Sequence, residues 1–483
     1  MASHIMRRWT VRHARFLTGL YAIVERLFVR LTPLWNRIGL KRLDRVLAFF
    51  ERPTKKLLFD CRMCGDCLLS STGMSCPMVC PKNVRNGPCG GVRDNGHCEV
   101  DPDMPCVWVD GWEGIKRNST VKRYLMPRKQ ADFDRQGTSA WVRELERRAP
   151  HIEIQAIQSP AYDAVPDERR SPYPPNSFEA LLKAGGFAVT AELSPPDSSD
   201  PDDIARRAGL FEGLADAVNV PDGSGANCHM SSLASSVILK NRGLTPVMQF
   251  ACRDRNRIAL QGDILGAAAL GIKNLLCLTG DGVAAGDQPG AMPVFDLDAV
   301  TLLRTASRMR DHGEFMSGRK LSLPPDLFLG AALNPFRPPS EARPFRWAKK
   351  IAAGAQFVQT QYCFDVGRLR EFMDESRALG LHKRCHILIG VGPLLSARSA
   401  LWMRENVPGI HVPDAIIKRL RNARCERTEG KRICIEILQE IVDIEGIAGV
   451  HVMVHQHEEL LAEIIRDSDI RKIGTRSRAT GDV

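Results

Sequence analysis

The sequence predicts an α/β protein, a (β/α)8 TIM barrel preceded by a small cysteine-rich metal-binding domain and an N-terminal basic amphipathic helical arm. Three observations carry that reading. Eight short runs rich in β-forming residues alternate with longer amphipathic segments between residues 187 and 454. Eight of the fifteen cysteines fall between Cys61 and Cys106. Residues 1–56 hold thirteen Lys and Arg against three acids, which accounts for nearly all of the net charge of +11. At 483 residues, with 44% hydrophobic and 25% charged residues, the chain has a soluble composition and is too long for one ordinary domain. The expected divisions are the arm over 1–56, the cysteine-rich domain over 57–112, a connector over 113–185, the barrel over 186–470 and a tail over 471–483.

The arm reads as helix because Phe16, Leu17, Leu20, Val24, Leu27, Phe28, Leu31, Leu34, Trp35 and Ile38 recur at steps of three and four, with arginines between them. Pro33 is expected to kink or break it. The uncharged stretch from Phe16 to Val24 is too short to span a bilayer. Arg7-Arg8 lacks the apolar region and cleavage site of an export signal, and the scarcity of serine argues against a transit peptide. The chain is therefore expected in the cytoplasm, with the arm seated on a partner subunit, on the rest of the chain or peripherally on a membrane. Positive charge confined to one arm, with no zinc finger or RNA-binding signature, excludes a nucleic-acid reading.

Within the cysteine-rich run, Cys61, Cys64 and Cys67 are spaced C-x2-C-x2-C. Cys76 and Cys80 follow as C-x3-C, each with proline behind it, and Cys89, Cys98 and Cys106 complete the set. Two-residue gaps let successive sulfurs face one metal centre. Bacterial ferredoxins use C-x2-C-x2-C-x3-C-P unbroken; here eight residues separate the halves. Eight ligands suit two four-cysteine centres, expected as two [4Fe–4S] clusters, with zinc as the alternative. Disulfides are disfavoured because nothing marks the chain for export.

After this run, Ser159-Pro160, Ser171-Pro172 and Pro174-Pro175 mark residues 150–176 as a linker. Strands are expected at 187–193, 216–220, 246–252, 274–279, 327–333, 356–361, 385–392 and 450–454. No G-x-G-x-x-G follows the first, which argues against a doubly wound sheet. Function in a barrel collects at the C-terminal strand ends. Glu192 in VTAELSPP, Asp281 in LCLTGD and Gln361 in FVQTQYCFD stand there. Gly280 would let a flat ligand approach the backbone.

The segments AELSPP, LTGD, KKIAAGAQFVQTQYCFD and GVHVMVHQHEE resemble methylenetetrahydrofolate reductases, flavin-dependent (β/α)8 barrels, over residues 186–467. The cysteine-rich segment, notably CPMVCPKNVRNGPCGG, resembles the small domain that accompanies some of these reductases. The resemblance implies FAD, or alternatively FMN, and a reduced folate substrate, with NAD(P)H or an electron-transfer protein as donor. It implies reduction of 5,10-methylenetetrahydrofolate to 5-methyltetrahydrofolate, with Glu192 as general acid, a task that near neutral pH calls for a carboxyl holding its proton unusually well. The same likeness gives Asp281 the place beside the flavin ring, Gln361 the pterin, and Lys350 and Arg346 the flavin phosphates. Two departures stand out: Gln249 replaces a frequent flavin-facing histidine, and Pro221 replaces a frequent hydroxyl residue. His451, His455 and His457 match the last strand and its turn, where a structural role is expected. The competing readings are the same chemistry run oxidatively in one-carbon catabolism, and a non-catalytic electron-transfer or assembly subunit. Against the latter, a dead site would not need Glu192, Asp281 and Gln361 together.

Overall fold

A computed structural model describes residues 2–118, 121–148, 177–407 and 409–479; the linker expected over 150–176 lies outside the described residues. The chain divides into two units, Met1–Pro88 with Gly96–Arg170, and Cys89–Asn95 with Ser171–Val483.

In the first unit the arm forms α1 (Ala2–Arg12), α2 (Ala14–Arg30), α3 (Thr32–Ile38) and α4 (Leu40–Phe59), followed by α5 (Val107–Asn118), α6 (Val121–Leu125) and α7 (Ala140–Arg148). The expected break falls at Leu31. Pro33 sits in the first turn of α3, where its missing N–H leaves no helical bond unmade. The arm's inner face is tied down. Buried Arg7 pairs with Asp110 at 2.9 Å and donates to the Pro105 carbonyl. Leu43 packs with Val142 and Leu145, Tyr21 stacks on Trp141 at 4.7 Å, and Glu51 accepts from the Ser139 hydroxyl. Residues 1–56, expected as a division of their own, thus share one unit with the cysteine-rich segment. A second constraint is steric: a Cβ on Gly114 of α5 would lie 2.0 Å from the Gly73 carbonyl oxygen, so only glycine lets helix and loop backbones meet.

In the second unit all eight expected runs become strands: β1 (Ala188–Glu192), β2 (Ala217–Val220), β3 (Pro246–Ala251), β4 (Asn274–Leu278), β5 (Phe328–Leu333), β6 (Phe357–Tyr362), β7 (His386–Val391) and β8 (Gly449–Val452). They pair in sequence order, all parallel, and β8 closes on β1. Six crossovers carry one main helix each: α9 (Pro201–Ala208), α10 (Ser232–Asn241), α11 (Arg257–Ala269), α12 (Ala299–His312), α13 (Arg343–Ala352) and α14 (Val366–Ala378). The last carries α15 (Ala397–Asn406), α16 (Asp414–Arg421) and α17 (Glu426–Val442); α18 (Glu458–Asp467) and α19 (Ile470–Ala479) follow β8.

Alternate residues of each strand face inward, so the barrel fills in layers. The lower layer is apolar: Ala188, Ala217, Val247, Leu276, Phe328, Phe357 and Leu388 form one cluster with Ala448. Phe178 and Leu182 of α8 (Ser177–Lys183), the short helix before β1, join it, and Phe178 meets Phe328 and Phe357 edge-on at 5.9 and 5.4 Å. That helix plugs the N-terminal end and leaves the strand C-termini as the open mouth. Phe178 is fully buried. Phe178→Ala is expected to destabilise the protein by about 3–5 kcal/mol, read as a lower denaturant midpoint at unchanged slope. A loss below about 1 kcal/mol would mean that the plug is dispensable.

Candidate active site

Above the apolar floor lies a buried polar layer. Asn219 on β2 and Gln359 on β6 exchange reciprocal amide hydrogen bonds at 2.6 and 3.0 Å, and Gln359 Nε2 also donates to Thr190 Oγ1 at 3.1 Å. Thr190 faces His451 because β1 and β8 pair in that register, and the hydroxyl lies 2.9 Å from His451 Nδ1. The other imidazole nitrogen, Nε2, stands 3.6 Å from Glu192 Oε2, the next inward position on β1. Gln249 Nε2 donates to the same carboxylate oxygen at 3.3 Å. Glu192 is thus held between an amide and an imidazole, with a polar network beneath.

Asp281 follows β4 and accepts from the Gly225 backbone N–H at 3.1 Å, which joins the loop after β2 to the loop after β4. Arg253, paired with Asp254, lies within electrostatic reach of Asp281 and Asp222. Gly280 has φ +92, and a Cβ there would lie 2.9 Å from Arg253 Cβ, so this approach requires glycine. Gln361 ends the inward row of β6, and its Oε1 accepts from the Tyr362 N–H at 3.1 Å. Burial, and then Glu192 nearby, push the Tyr362 phenol well above its ordinary range.

Lys350 donates to the Ala332 carbonyl oxygen at the end of β5, and Arg346, one turn earlier on α13, donates to the Pro338 carbonyl oxygen. Burial, and then the Arg346 charge, pull Lys350 down to about 8. Two cations packed together out of water are costly, and an anion such as a phosphate relieves that cost. These residues therefore fit a flavin phosphate.

Sequence reasoning placed Glu192, Asp281, Gln361 and Gly280 at the mouth, and they lie there. Gln249, to which the resemblance gives a place facing the flavin, donates to Glu192. His451, expected to be structural, is a neighbour of Glu192. The signal that could have found it is closure: in an eight-stranded barrel the last strand pairs with the first, so inward residues of both share a layer.

Of the eight cysteines expected to hold two centres, four share one cavity. Cys61, Cys64, Cys67 and Cys76 line one small cavity with Lys55, Glu51 and Arg85. Cys80, Cys98 and Cys106 are electrostatic neighbours. Cys89 belongs to the barrel unit, within electrostatic reach of Lys350. In the same segment Asp94 faces buried Arg337 at 3.7 Å. Among the described residues no three or more His, Cys, Asp or Glu stand in single-ion geometry. No cysteine is in a disulfide.

A closed parallel barrel with two carboxylates and an amide at its C-terminal mouth is the architecture of (β/α)8 enzymes. Residues 177–469 match the family described as methylenetetrahydrofolate reductase, and residues 40–134 match "Methylene-tetrahydrofolate reductase C terminal". More than half of the chain is matched, and the protein belongs to the methylenetetrahydrofolate reductase family. A Caenorhabditis elegans protein named "Probable methylenetetrahydrofolate reductase (NADPH)" is 22% identical over 247 residues, which is 50% of this chain and 35% of that protein. The match thus spans about a third of that relative's length. Among solved structures, an uncharacterized protein from Clostridium thermocellum that binds two copies of 5-methyl-5,6,7,8-tetrahydrofolic acid is 15% identical, with TM-score 0.46, covering 61% of this chain and 98% of that one. Tryptophan synthase from M. tuberculosis is also 15% identical, with TM-score 0.33, covering 62% and 96%. Likeness at this level between barrels is shared across unrelated chemistries.

The buried network makes a stability prediction. Thr190→Val keeps the shape but removes the partner of His451 Nδ1 and of one of the two Gln359 Nε2 hydrogens, and is expected to cost about 1–3 kcal/mol. Unchanged stability in denaturant titration would show that the layer does not depend on this hydroxyl.

Proposed function

We propose that the barrel reduces 5,10-methylenetetrahydrofolate to 5-methyltetrahydrofolate with a bound flavin. The observation that carries this reading is Glu192, held at the mouth by Gln249 and His451 above a network that fixes both its strand and its partner. The flavin, when bound, supplies the hydride. The residues of the chain manage the proton and the fit. Glu192 donates a proton to the leaving nitrogen of the one-carbon bridge, so that the bridge opens to an iminium carbon able to accept hydride. Thr190 Oγ1 lies 3.3 Å from the Val450 carbonyl oxygen, to which it can donate. It can then accept from His451 Nδ1–H, leaving Nε2 as a bare acceptor toward Glu192. The proton leaves with the product on that nitrogen, so Glu192 takes up a new one from solvent before the next turnover, and His451 Nε2, 3.6 Å away, is placed to relay it. Gln361 presents its NH2 end to the pterin, and Asp281 places negative charge where cationic character develops. Arg346 and Lys350 would hold the flavin phosphates.

We further propose that Cys61, Cys64, Cys67 and Cys76 hold one iron–sulfur cluster that passes electrons toward the flavin or docks a donor. A cluster holds its four sulfurs further apart than a single ion does, so the shared cavity, and not a tight tetrahedron, is the supporting feature.

Three measurements test these readings. Glu192→Gln is expected to lower turnover of methylenetetrahydrofolate by about 10²–10⁴-fold while the flavin spectrum is retained. His451→Asn, which keeps a group facing Thr190 but removes Nε2, is expected to displace the pH–rate profile. Near wild-type turnover in Glu192→Gln would remove this glutamate from the acid role. For the cysteines, anaerobically purified protein should contain iron, and Cys64→Ser together with Cys76→Ser should lose it. Zinc in place of iron, or neither metal, would overturn the cluster.

A further inference from the structure

The arm has two apolar faces, and only one of them is used. Along α2 and α3, Ala14, Tyr21, Phe28 and Trp35 turn toward the first unit: Ala14 is fully buried, Tyr21 meets Trp141, and Phe28 and Trp35 pack with the Leu43 cluster. Phe16, Leu20, Ile23, Val24, Leu27, Leu31, Leu34 and Ile38 recur at steps of one, three and four residues on the opposite side, and each is exposed. Of the twenty-two exposed large apolar side chains among the described residues, fourteen lie within residues 1–57. The exposure is therefore concentrated in one region and is not the scatter normal for a surface. At about 1.5 Å per helical residue the row from Phe16 to Ile38 is about 33 Å long.

Charge flanks this row on one side. By helical spacing Arg15, Arg26 and Arg30 of α2 fall along a single border of the stripe; Arg12 ends α1 and Arg37 lies in the last turn of α3, and all five are exposed. The one acid in residues 1–43, Glu25, falls by the same spacing on the inward side. An apolar strip bordered by arginines, with no acid on its outer face, is complementary to a surface that offers phosphates and hydrocarbon at every point along its length. Among the described residues no helix is long and apolar enough to cross a membrane, so the strip can lie on a bilayer and not span it. A protein partner would instead have to supply an acid-lined groove of that full length.

We propose that the outer face of α2 and α3 is a docking surface for anionic phospholipid. The apolar row enters the headgroup boundary, and the arginine border sits at the phosphates. This inference does not depend on the catalytic reading. Its test uses the full chain, vesicles of phosphatidylcholine with or without phosphatidylglycerol, and sedimentation as the readout. The protein is expected to pellet with the mixed vesicles, to do so less as salt rises, and to stay in solution with pure phosphatidylcholine. Arg26→Ala with Arg30→Ala should weaken binding roughly thirtyfold, from about tenfold per 1.4 kcal/mol and about 1 kcal/mol per cation near such a surface. Ile23→Asp with Leu27→Asp should abolish it. These positions are exposed, so both variants should keep the wild-type circular dichroism and melting temperature. Failure of the wild-type chain to pellet with anionic vesicles at low salt overturns the proposal, as does pelleting that the substitutions leave unchanged. Light scattering decides the remaining case: a multimer that the Asp variants reduce to monomers, without vesicle binding, makes this face a contact between copies of the chain.

Discussion

Closing eight parallel strands into a barrel is the constraint on which the second unit depends. Closure puts every second residue of each strand into a space with no water, so an inward polar residue must find its partner on another strand. Asn219 and Gln359 do this by facing each other across the barrel, Thr190 by accepting from Gln359, and His451 by facing Thr190. Each bond joins strands distant in sequence, β2 to β6 and β8 to β1. The layer therefore fixes rotamers as well as register, and Glu192, one inward step above it, inherits that rigidity.

The vertical order of the layers also assigns the two ends of the barrel. Aromatic rings and the plug helix fill the lower end, where Phe178, Phe328 and Phe357 leave no room for a ligand. Polarity rises toward the mouth, from Ala188 through Thr190 to Glu192 on β1, and from Phe357 through Gln359 to Gln361 on β6. The same alternation that makes a strand legible thus grades the interior from packing to chemistry within five residues.

Most of this was legible because period-two alternation and β-branched residues act locally. All eight strands lie within one or two residues of their expected positions. The residues at the strand ends could be named for the same reason. What escaped the sequence was relational. His451 gains its place beside Glu192 only when β8 closes on β1, and Gln249 turns to Glu192 only when β3 is set beside β2 at the observed register. Cysteine spacing spoke for Cys61, Cys64, Cys67 and Cys76, which a short loop brings to one cavity. It could not place Cys89, whose segment groups with the barrel, where Asp94 faces Arg337, some 240 residues away in sequence.

The arm shows the converse limit. Its hydrophobic periodicity was plain, but a run apolar at nearly every turn does not reveal that it carries two stripes. Tyr21, Phe28 and Trp35 form one, and Phe16, Ile23 and Leu27 the other. The first is satisfied by Trp141, Val142 and Leu145, residues more than a hundred positions further along. Once that face is covered, helical geometry leaves the second pointing away, and no packing inside the unit can bury it without uncovering the first. Exposed Phe, Ile and Leu in a row weigh against solubility, and the arginines beside them raise solubility without hiding the row. Burial on an external anionic surface resolves both conditions at once, and for that reason the two faces are best read together: one builds the unit, and the other gives it somewhere to be.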